Sequence, residues 1–228
     1  MPGLFITGTN TDVGKTYVAA MIARSLVAAD RRVGVYKPVE SGCQENNDGM
    51  LEAADARTLW EAAGMPGELS KVCPQRFQAG LSPPQAAALE NKQVDRQLLR
   101  DGLSYWQQRS DLVLVEGAGG LMSPLSDEDY NLDLAADLGF PLVIVAANKL
   151  GAINSTLQTI ITAQTKAPQL PIAGVILNEC LAGLDDAAVG LNAQEIEKRS
   201  PVPLLASVGF GEGGFDREVD WFGLAGGK

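Results

Sequence analysis

Lys15 and Thr16 end the stretch Gly8-Thr9-Asn10-Thr11-Asp12-Val13-Gly14-Lys15-Thr16, which directly follows the apolar run Leu4-Phe5-Ile6. A strand, a glycine-bounded loop and a helix opening on Gly-Lys-Thr is the arrangement that holds nucleotide phosphates. Glycines admit a close backbone approach, and unpaired N–H groups at the helix start point at the anion. The lysine adds positive charge to the β- and γ-phosphates, and the threonine hydroxyl suits Mg2+. Five residues separate Gly8 from Gly14, one more than in the usual phosphate loop.

The chain contains no histidine. An imidazole base, a His-based triad and a His metal site are therefore excluded. Chemistry must rest on carboxylates, lysines, hydroxyls, backbone dipoles and a metal. Glu116 closes the apolar run Leu112–Val115, and the glycines at 117, 119 and 120 behind it leave room for a ligand. A carboxylate at that point of a nucleotide-binding sheet usually holds Mg2+. Lys37 follows Val33–Tyr36 and precedes Pro38. A solvated lysine is the common case, but two lysines aimed at one crevice of an acidic protein point to a functional role. Asp55, inside a helical pattern, reads alone as a solvated acid, and Ser41 as a turn residue. The segment Gly151–Asn154 opens a helix whose N–H groups suit a carboxylate, although a plain helix cap accounts for it equally well.

The elements that must position these groups alternate along the chain. Short apolar runs at Leu4–Ile6, Val33–Tyr36, Leu112–Val115, Leu142–Ala146, Ile172–Leu177 and Pro203–Ala206 predict strands buried on both faces. Val18, Met21, Ile22, Ser25, Leu26 and Ala29 keep the spacing of one apolar helix face, and further helices are expected at about Leu51–Ala63, Asp95–Gln108, Asn131–Leu138, Ile153–Thr165 and Ala187–Lys198. This alternation predicts an α/β fold, a three-layer doubly wound and mostly parallel sheet. In such sheets ligands gather beyond the carboxyl ends of the strands. Those ends are followed by the phosphate loop, Lys37–Gly42, Glu116–Gly120, Asn148–Asn154 and Asn178-Glu179. The proline-rich stretch Met65–Pro84 is expected to cross the surface near the site. The glycine-rich tail from Gly209 is expected to pack loosely and to cover a nucleotide base.

At 228 residues and 46% hydrophobic, the chain supports one globular domain. A net charge of −10 makes nucleic acid an unexpected partner. Cys43, Cys73 and Cys180 form neither a disulfide framework nor a zinc spacing. No signal peptide precedes the first run and no apolar stretch is long enough for a membrane, so a cytoplasmic location is the expectation.

The combined motifs resemble those of the dethiobiotin synthetases. The matching segments are residues 8–16, Tyr36-Lys37-Pro38-Val39-Glu40-Ser41-Gly42, Asp55-Ala56, Val115–Gly120, Leu125-Ser126-Asp127, Lys149–Asn154 and Asn178, in the family's order. The five-residue spacing of the loop is the family's own form. The resemblance implies a P-loop NTPase fold and the Mg2+- and ATP-dependent closure of 7,8-diaminononanoate with CO2 to dethiobiotin, ADP and phosphate, in biotin biosynthesis. It implies that Lys37 and Lys15 are catalytic and that Asp12, Val13, Gly14, Lys15, Thr16 and Tyr17 wrap the phosphates. It implies Thr16, Asp55 and Glu116 around Mg2+, with Glu116, Gly117, Ala118 and Gly119 along the nucleotide. Asn178 and Glu179 would meet adenine, bordered by Gly209, Phe210 and Gly211. Thr11, Ser41, Leu150, Gly151 and Asn154 would hold the diamine substrate, and the protein would be a homodimer.

This chain departs from the family at Pro84, where Ser-Pro-His is usual, and at Gly209, often proline. The main rival is a partition- or positioning-type switch ATPase that binds a protein partner. Such proteins carry a second lysine early in the loop, near Thr9 and Asn10, which is missing here. A glutamine-hydrolysing synthetase of the cobyrinate type would need a Cys–His pair, and a non-catalytic nucleotide-binding module is the remaining alternative.

Overall fold

Strands covered on both faces need apolar residues at successive positions, and every residue of Leu4–Ile6, Val33–Tyr36, Leu112–Val115 and Leu142–Ala146 is buried. The computed structural model describes residues 1–180 and 188–227. Its first half contains β1 (Gly3–Gly8), α1 (Lys15–Ala28), β2 (Val33–Tyr36), β3 (Val39–Ser41), β4 (Gln44–Glu45), β5 (Leu51–Glu52) and α2 (Ala54–Ala62). Then come α3 (Leu69–Val72), β6 (Gln75–Phe77), α4 (Pro83–Leu89), α5 (Arg96–Asp101), α6 (Ser104–Gln107) and β7 (Leu112–Gly120). The remainder is α7 (Asn131–Leu138), β8 (Leu142–Ala147), α8 (Ala152–Lys166), β9 (Ile172–Asn178), α9 (Val189–Arg199), β10 (Leu204–Val208) and α10 (Trp221–Leu224).

Six strands form one sheet in the order β10-β9-β8-β1-β7-β2, and every neighbouring pair is parallel. Along β8, Val143 and Val145 join the larger core while Ile144 and Ala146 join a smaller one, the two-residue alternation of a strand packed on both sides. Strand order reverses around β1, which places a crevice at its carboxyl end. Register sets Ile6 beside Glu116 and Tyr36 beside Val115. The phosphate loop, Lys37 and Glu116 therefore leave the sheet at one level.

Several boundaries differ from the sequence expectation. The predicted Leu51–Ala63 helix starts only at Ala54, because Leu51–Glu52 pairs antiparallel with β4. The predicted Asp95–Gln108 helix divides into α5 and α6 at Gly102 and Leu103, where the buried Tyr36 hydroxyl donates to the carbonyls of Leu98 (2.8 Å) and Leu99 (3.1 Å). The last strand runs Leu204–Val208, later than Pro203–Ala206. On α1, Val18, Met21, Ile22 and Leu26 are buried, whereas Ser25 and Ala29 are exposed. Strand β7 continues through the glycines to Gly120. It can do so because Gly117 carries no side chain: a Cβ there would lie 2.2 Å from Asn131 Oδ1, which accepts the Ala118 N–H at 3.0 Å. The Ala187 start of the predicted last long helix lies outside the described residues, and α9 is described from Val189.

The stretch Met65–Pro84 is more ordered than its prolines imply. It supplies α3 and β6, and β6 pairs in parallel with β3. Ser82-Pro83-Pro84 opens α4 with proline at its first positions, where no backbone N–H is needed. The tail is not loosely packed as expected: even within Gly209–Gly214 the Glu212 carbonyl accepts the Tyr17 hydroxyl. Beyond that stretch Phe215 packs on Trp221 with ring centroids 5.0 Å apart, Trp221 is buried, and the Ala225 carbonyl accepts the Gly3 N–H at 3.0 Å. Among the described residues no helix is long and apolar enough to cross a membrane.

Candidate active site

The loop between β1 and α1 turns on Asp12 (φ 58°) and Gly14 (φ 84°). Gly14 is the N-cap of α1, with no side chain capping the helix, so the first N–H groups of α1 are left for an anion. A Cβ on Gly14 would lie 2.1 Å from Asn178 Nδ2, which itself donates to the Val13 carbonyl at 3.1 Å. Glycine is thus required twice, by the left-handed backbone and by the approach of β9. Lys15 is buried, and its ammonium donates to the Asn10 carbonyl at 3.3 Å. Burial and the neighbouring Lys37 lower its pKa, against the pull of Glu116 and Asp55.

Behind the loop lies a charged cluster assembled from two strands, β2 with the residue that follows it and β7, and from the starts of two helices, α1 and α2. Glu116 Oε1 accepts from the Thr16 hydroxyl at 2.8 Å and from Lys37 Nζ at 2.6 Å. Asp55 Oδ2 stands 3.0 Å from the same ammonium. The Lys37 and Glu116 side chains are 3% and 1% exposed, so this pair is shielded from water, while the Asp55 side chain is 46% exposed. Burial alone would depress the Lys37 pKa, but Glu116, Asp55 and Glu40 together outweigh it and hold the pKa above the ordinary lysine value. Burial would raise the Asp55 pKa, and Lys37 overrides it downward. Burial raises that of Glu40 despite Lys37. Glu116 Oε2 is buried and has no hydrogen-bonding partner among the described residues. Its free oxygen, the Thr16 hydroxyl and Asp55 are the hard donors available to a cation. Among the described residues no group of three or more His, Cys, Asp or Glu forms a metal cage.

The cluster opens on a cleft of about 720 Å3. Thr11, Asp12, Gly14, Lys15, Thr16 and Tyr17 line it from the loop, Lys37 and Ser41 from the β2–β3 segment, and Asp55 from α2. Ala118 and Gly119 come from β7, Asn178 and Glu179 from the end of β9, and Phe210 and Gly211 from the tail. Two of the sequence candidates stand behind this lining: Val13, which is buried, and Gly117, against Asn131. Glu116 acts on the cleft through Thr16 and Lys37. Gly209 does not line it, but the tail is tied to α1 by the Tyr17 hydroxyl, which donates to the Glu212 carbonyl.

The start of α8 lies apart. Leu150, Gly151 and Asn154 are absent from the cleft wall, and Leu150 is 80% exposed. Other α8 side chains, Ser155, Gln158 and Thr159, line a separate groove of about 350 Å3 with Thr9, Asn10 and Met122. Two cleft residues are not among the sequence candidates: Glu40, three residues after Lys37, and Cys180. For Glu40 the available signal was a carboxylate within the strand-end segment that also carries Lys37 and Ser41.

A parallel sheet with a lysine-bearing phosphate loop between its first strand and helix, and a carboxylate at the end of the adjacent strand, defines a P-loop nucleotide-binding domain of the NTPase class. The family model described as AAA domain matches residues 2–212. Among solved structures, the signal recognition particle receptor FtsY of Elizabethkingia anophelis superposes with a TM-score of 0.53 at 17% identity, over 99% of this chain and 64% of the receptor. The MinC:MinD cell division protein complex of Aquifex aeolicus gives 0.51 at 13% identity, over 92% and 81%. At these identities the likeness concerns the fold. Sequence similarity is far closer to the ATP-dependent dethiobiotin synthetase of Rhodopirellula baltica, 44% identical over 214 residues, 90% of this chain and 82% of that protein. The synthetase of Bacillus cereus strain G9842 is 37% identical over 218 residues, 96% and 87%. The chain belongs to the ATP-dependent dethiobiotin synthetase family and is an ATP-dependent ligase.

Proposed function

We propose that this protein closes the ureido ring of dethiobiotin from 7,8-diaminononanoate, CO2 and Mg-ATP. The observation that carries the reading is the Lys37 ammonium, buried between Glu116 and Asp55 and opening on the same cleft as Lys15. In the proposed sequence one substrate amine adds to CO2, giving a carbamate and releasing a proton. A carbamate oxygen then takes the γ-phosphoryl group of ATP and ADP leaves. The neighbouring amine attacks the resulting carbamic–phosphoric anhydride at its carbonyl carbon, phosphate departs with the bonding pair, and the amine loses its proton.

The two amines stand on adjacent carbons, so proximity is supplied by the substrate itself. The protein's task is to gather anions and stabilise charge on the transferring group. The N–H groups of α1, left without a side-chain cap, and Lys15 would hold the phosphates. Lys37, kept protonated by its carboxylate neighbours, would serve as a fixed cation toward the carbamate and γ-phosphate rather than as a base. The free Glu116 oxygen, Thr16 and Asp55 fit Mg2+, which when bound supplies charge neutralisation on the β- and γ-phosphates.

Asn178 would meet adenine through its buried Oδ1, which has no partner among the described residues, with Glu179, Phe210 and Gly211 nearby. On this reading the chain is a single synthetase domain whose tail from about Gly209 covers the nucleotide. Thr11 and Ser41 face the diamine. The helix start at Leu150–Asn154, exposed at Leu150, Gly151 and Asn154 and outside the cleft of its own chain, would receive the substrate carboxylate of a second copy in a homodimer. Such an enzyme would work in the cytoplasm. Phosphate release from Mg-ATP should require both 7,8-diaminononanoate and bicarbonate, with dethiobiotin detected by mass. Release indifferent to the diamine would overturn the assignment.

A further inference from the structure

Helix α2 begins without a cap of its own. Its N-cap residue is Ala53, which makes no side-chain hydrogen bond. The start of a helix nevertheless presents N–H groups that no intrahelical carbonyl reaches. Here the acceptor comes from another element. Glu40, in β3 and 6% exposed, takes the Asp55 N–H with one carboxylate oxygen and the Ala56 N–H with the other, each at 3.0 Å. Asp55 and Ala56 are the second and third residues of α2, the positions an N-cap side chain ordinarily serves. A negative charge there also suits the positive end of the helix.

The arrangement divides labour between two carboxylates. Glu40 spends both oxygens on the backbone, which leaves the Asp55 side chain to reach Lys37 at 3.0 Å. Asp55 is nearly half exposed, so packing does little to fix it. What holds it over the cleft is the placement of its backbone, and that placement is set by β3.

We propose that Glu40 is a positioning residue: its two-pronged hold on the first turn of α2 sets Asp55, and through Asp55 the cation site shared with Thr16 and Glu116. This rests on the Mg2+ reading of Asp55 given above. A plain helix cap would contribute stability wherever its acceptor came from. The Glu40 carboxylate additionally ties α2 to the strand segment that carries Lys37 and Ser41.

The test is Mn2+ affinity in the presence of ADP, read from the free-Mn2+ electron paramagnetic resonance signal, with melting temperature measured on the same samples. Glu40→Gln keeps one acceptor and the side-chain shape; Glu40→Ala removes both acceptors. Each is expected to weaken Mn2+ binding about tenfold or more, the usual consequence of losing a group that orients a metal ligand. In turnover, kcat should fall more than KM for the diamine rises. Adding Ala53→Ser to Glu40→Ala restores a local cap, and should recover melting temperature without recovering Mn2+ affinity. Native Mn2+ affinity in the Glu40 variants, or its return together with stability in the double variant, would overturn the proposal. Asp55→Asn distinguishes the two levels of the argument. If that variant binds Mn2+ like the native protein, the metal reading falls and the Glu40 proposal with it. If it is weakened and the Glu40 variants are not, Glu40 alone is excluded.

Discussion

Replacing Lys37 by glutamine removes a charge while keeping a donor of similar reach, and the surroundings set what that costs. Glu116 is 1% exposed and loses its nearest cation, and breaking a buried pair from one side costs roughly 3–5 kcal/mol. The glutamine amide can still donate to Glu116 Oε1, and a hydrogen bond to a charged group is worth about 1.5–3 kcal/mol. The exposed half of Asp55 adds little, since water screens it. The net loss is therefore roughly 1–3 kcal/mol, or some 2–4 °C in melting temperature per kcal/mol at this chain length. Mg-ADP should narrow that gap, because a cation at the free Glu116 oxygen compensates for the missing ammonium. Turnover should fall further than stability, by about 10²–10³-fold, as when one preorganised group facing developing charge is removed. The assay is product formation at saturating Mg-ATP beside thermal unfolding with and without Mg-ADP. Turnover within about threefold of native would refute the role of Lys37, and a gap that nucleotide leaves unchanged would refute the electrostatic account of its stability.

Thr16→Val deletes the hydroxyl that donates to Glu116 at 2.8 Å and should raise the Mg2+ concentration for half-maximal turnover about tenfold, with the fold retained. An unchanged metal requirement would count against that hydroxyl. Gly14→Ala forces a Cβ to within 2.1 Å of Asn178 Nδ2 on a left-handed backbone. ATP affinity by calorimetry should drop at least tenfold, and native affinity would show that the loop rearranges freely. Asp129→Asn breaks a buried carboxylate that accepts from Arg96 (2.6 and 3.0 Å), Arg100 (2.9 Å) and Ser126 (2.8 Å). The Arg96 hydrogen bonds foremost, with Arg100 and Ser126, hold the Asp129 pKa well below the usual range despite burial. With the folded-state pKa depressed, its stabilisation is present above the unfolded value of about 3.9 and fades as pH falls below it. Urea unfolding should thus show a gap between native and variant at pH 7 that begins to narrow near the unfolded value of about 3.9 and closes only as pH falls on toward the depressed folded-state pKa, and a gap independent of pH would exclude the ionic account.

What the sequence by itself determined is whatever local pattern and short range control. The buried parallel strands were legible because a strand covered on both faces must be apolar at successive positions, as in Leu142–Ala146. The phosphate loop was legible because its glycine, lysine and threonine act through consecutive backbone. The rule that ligands gather at strand ends then brought Lys37 and Glu116 into view. The helix boundaries at Leu51–Ala54 and at Gly102 were not legible. One depends on the pairing of two-residue strands, β4 with β5, too short to show a pattern, and the other on Tyr36, more than sixty residues away. Asp55 by itself reads as a solvated acid, its place at Mg2+ coming only from the family resemblance, because its role depends on where α2 begins, and Glu40 lies in a matching segment without a role of its own. Only the tertiary structure could decide that Glu40 caps a helix fifteen residues away, that Asp55 thereby reaches Lys37, and that the Leu150–Asn154 helix start lies outside its own cleft. A distance between two segments is set by everything packed between them, and neither segment's sequence contains it.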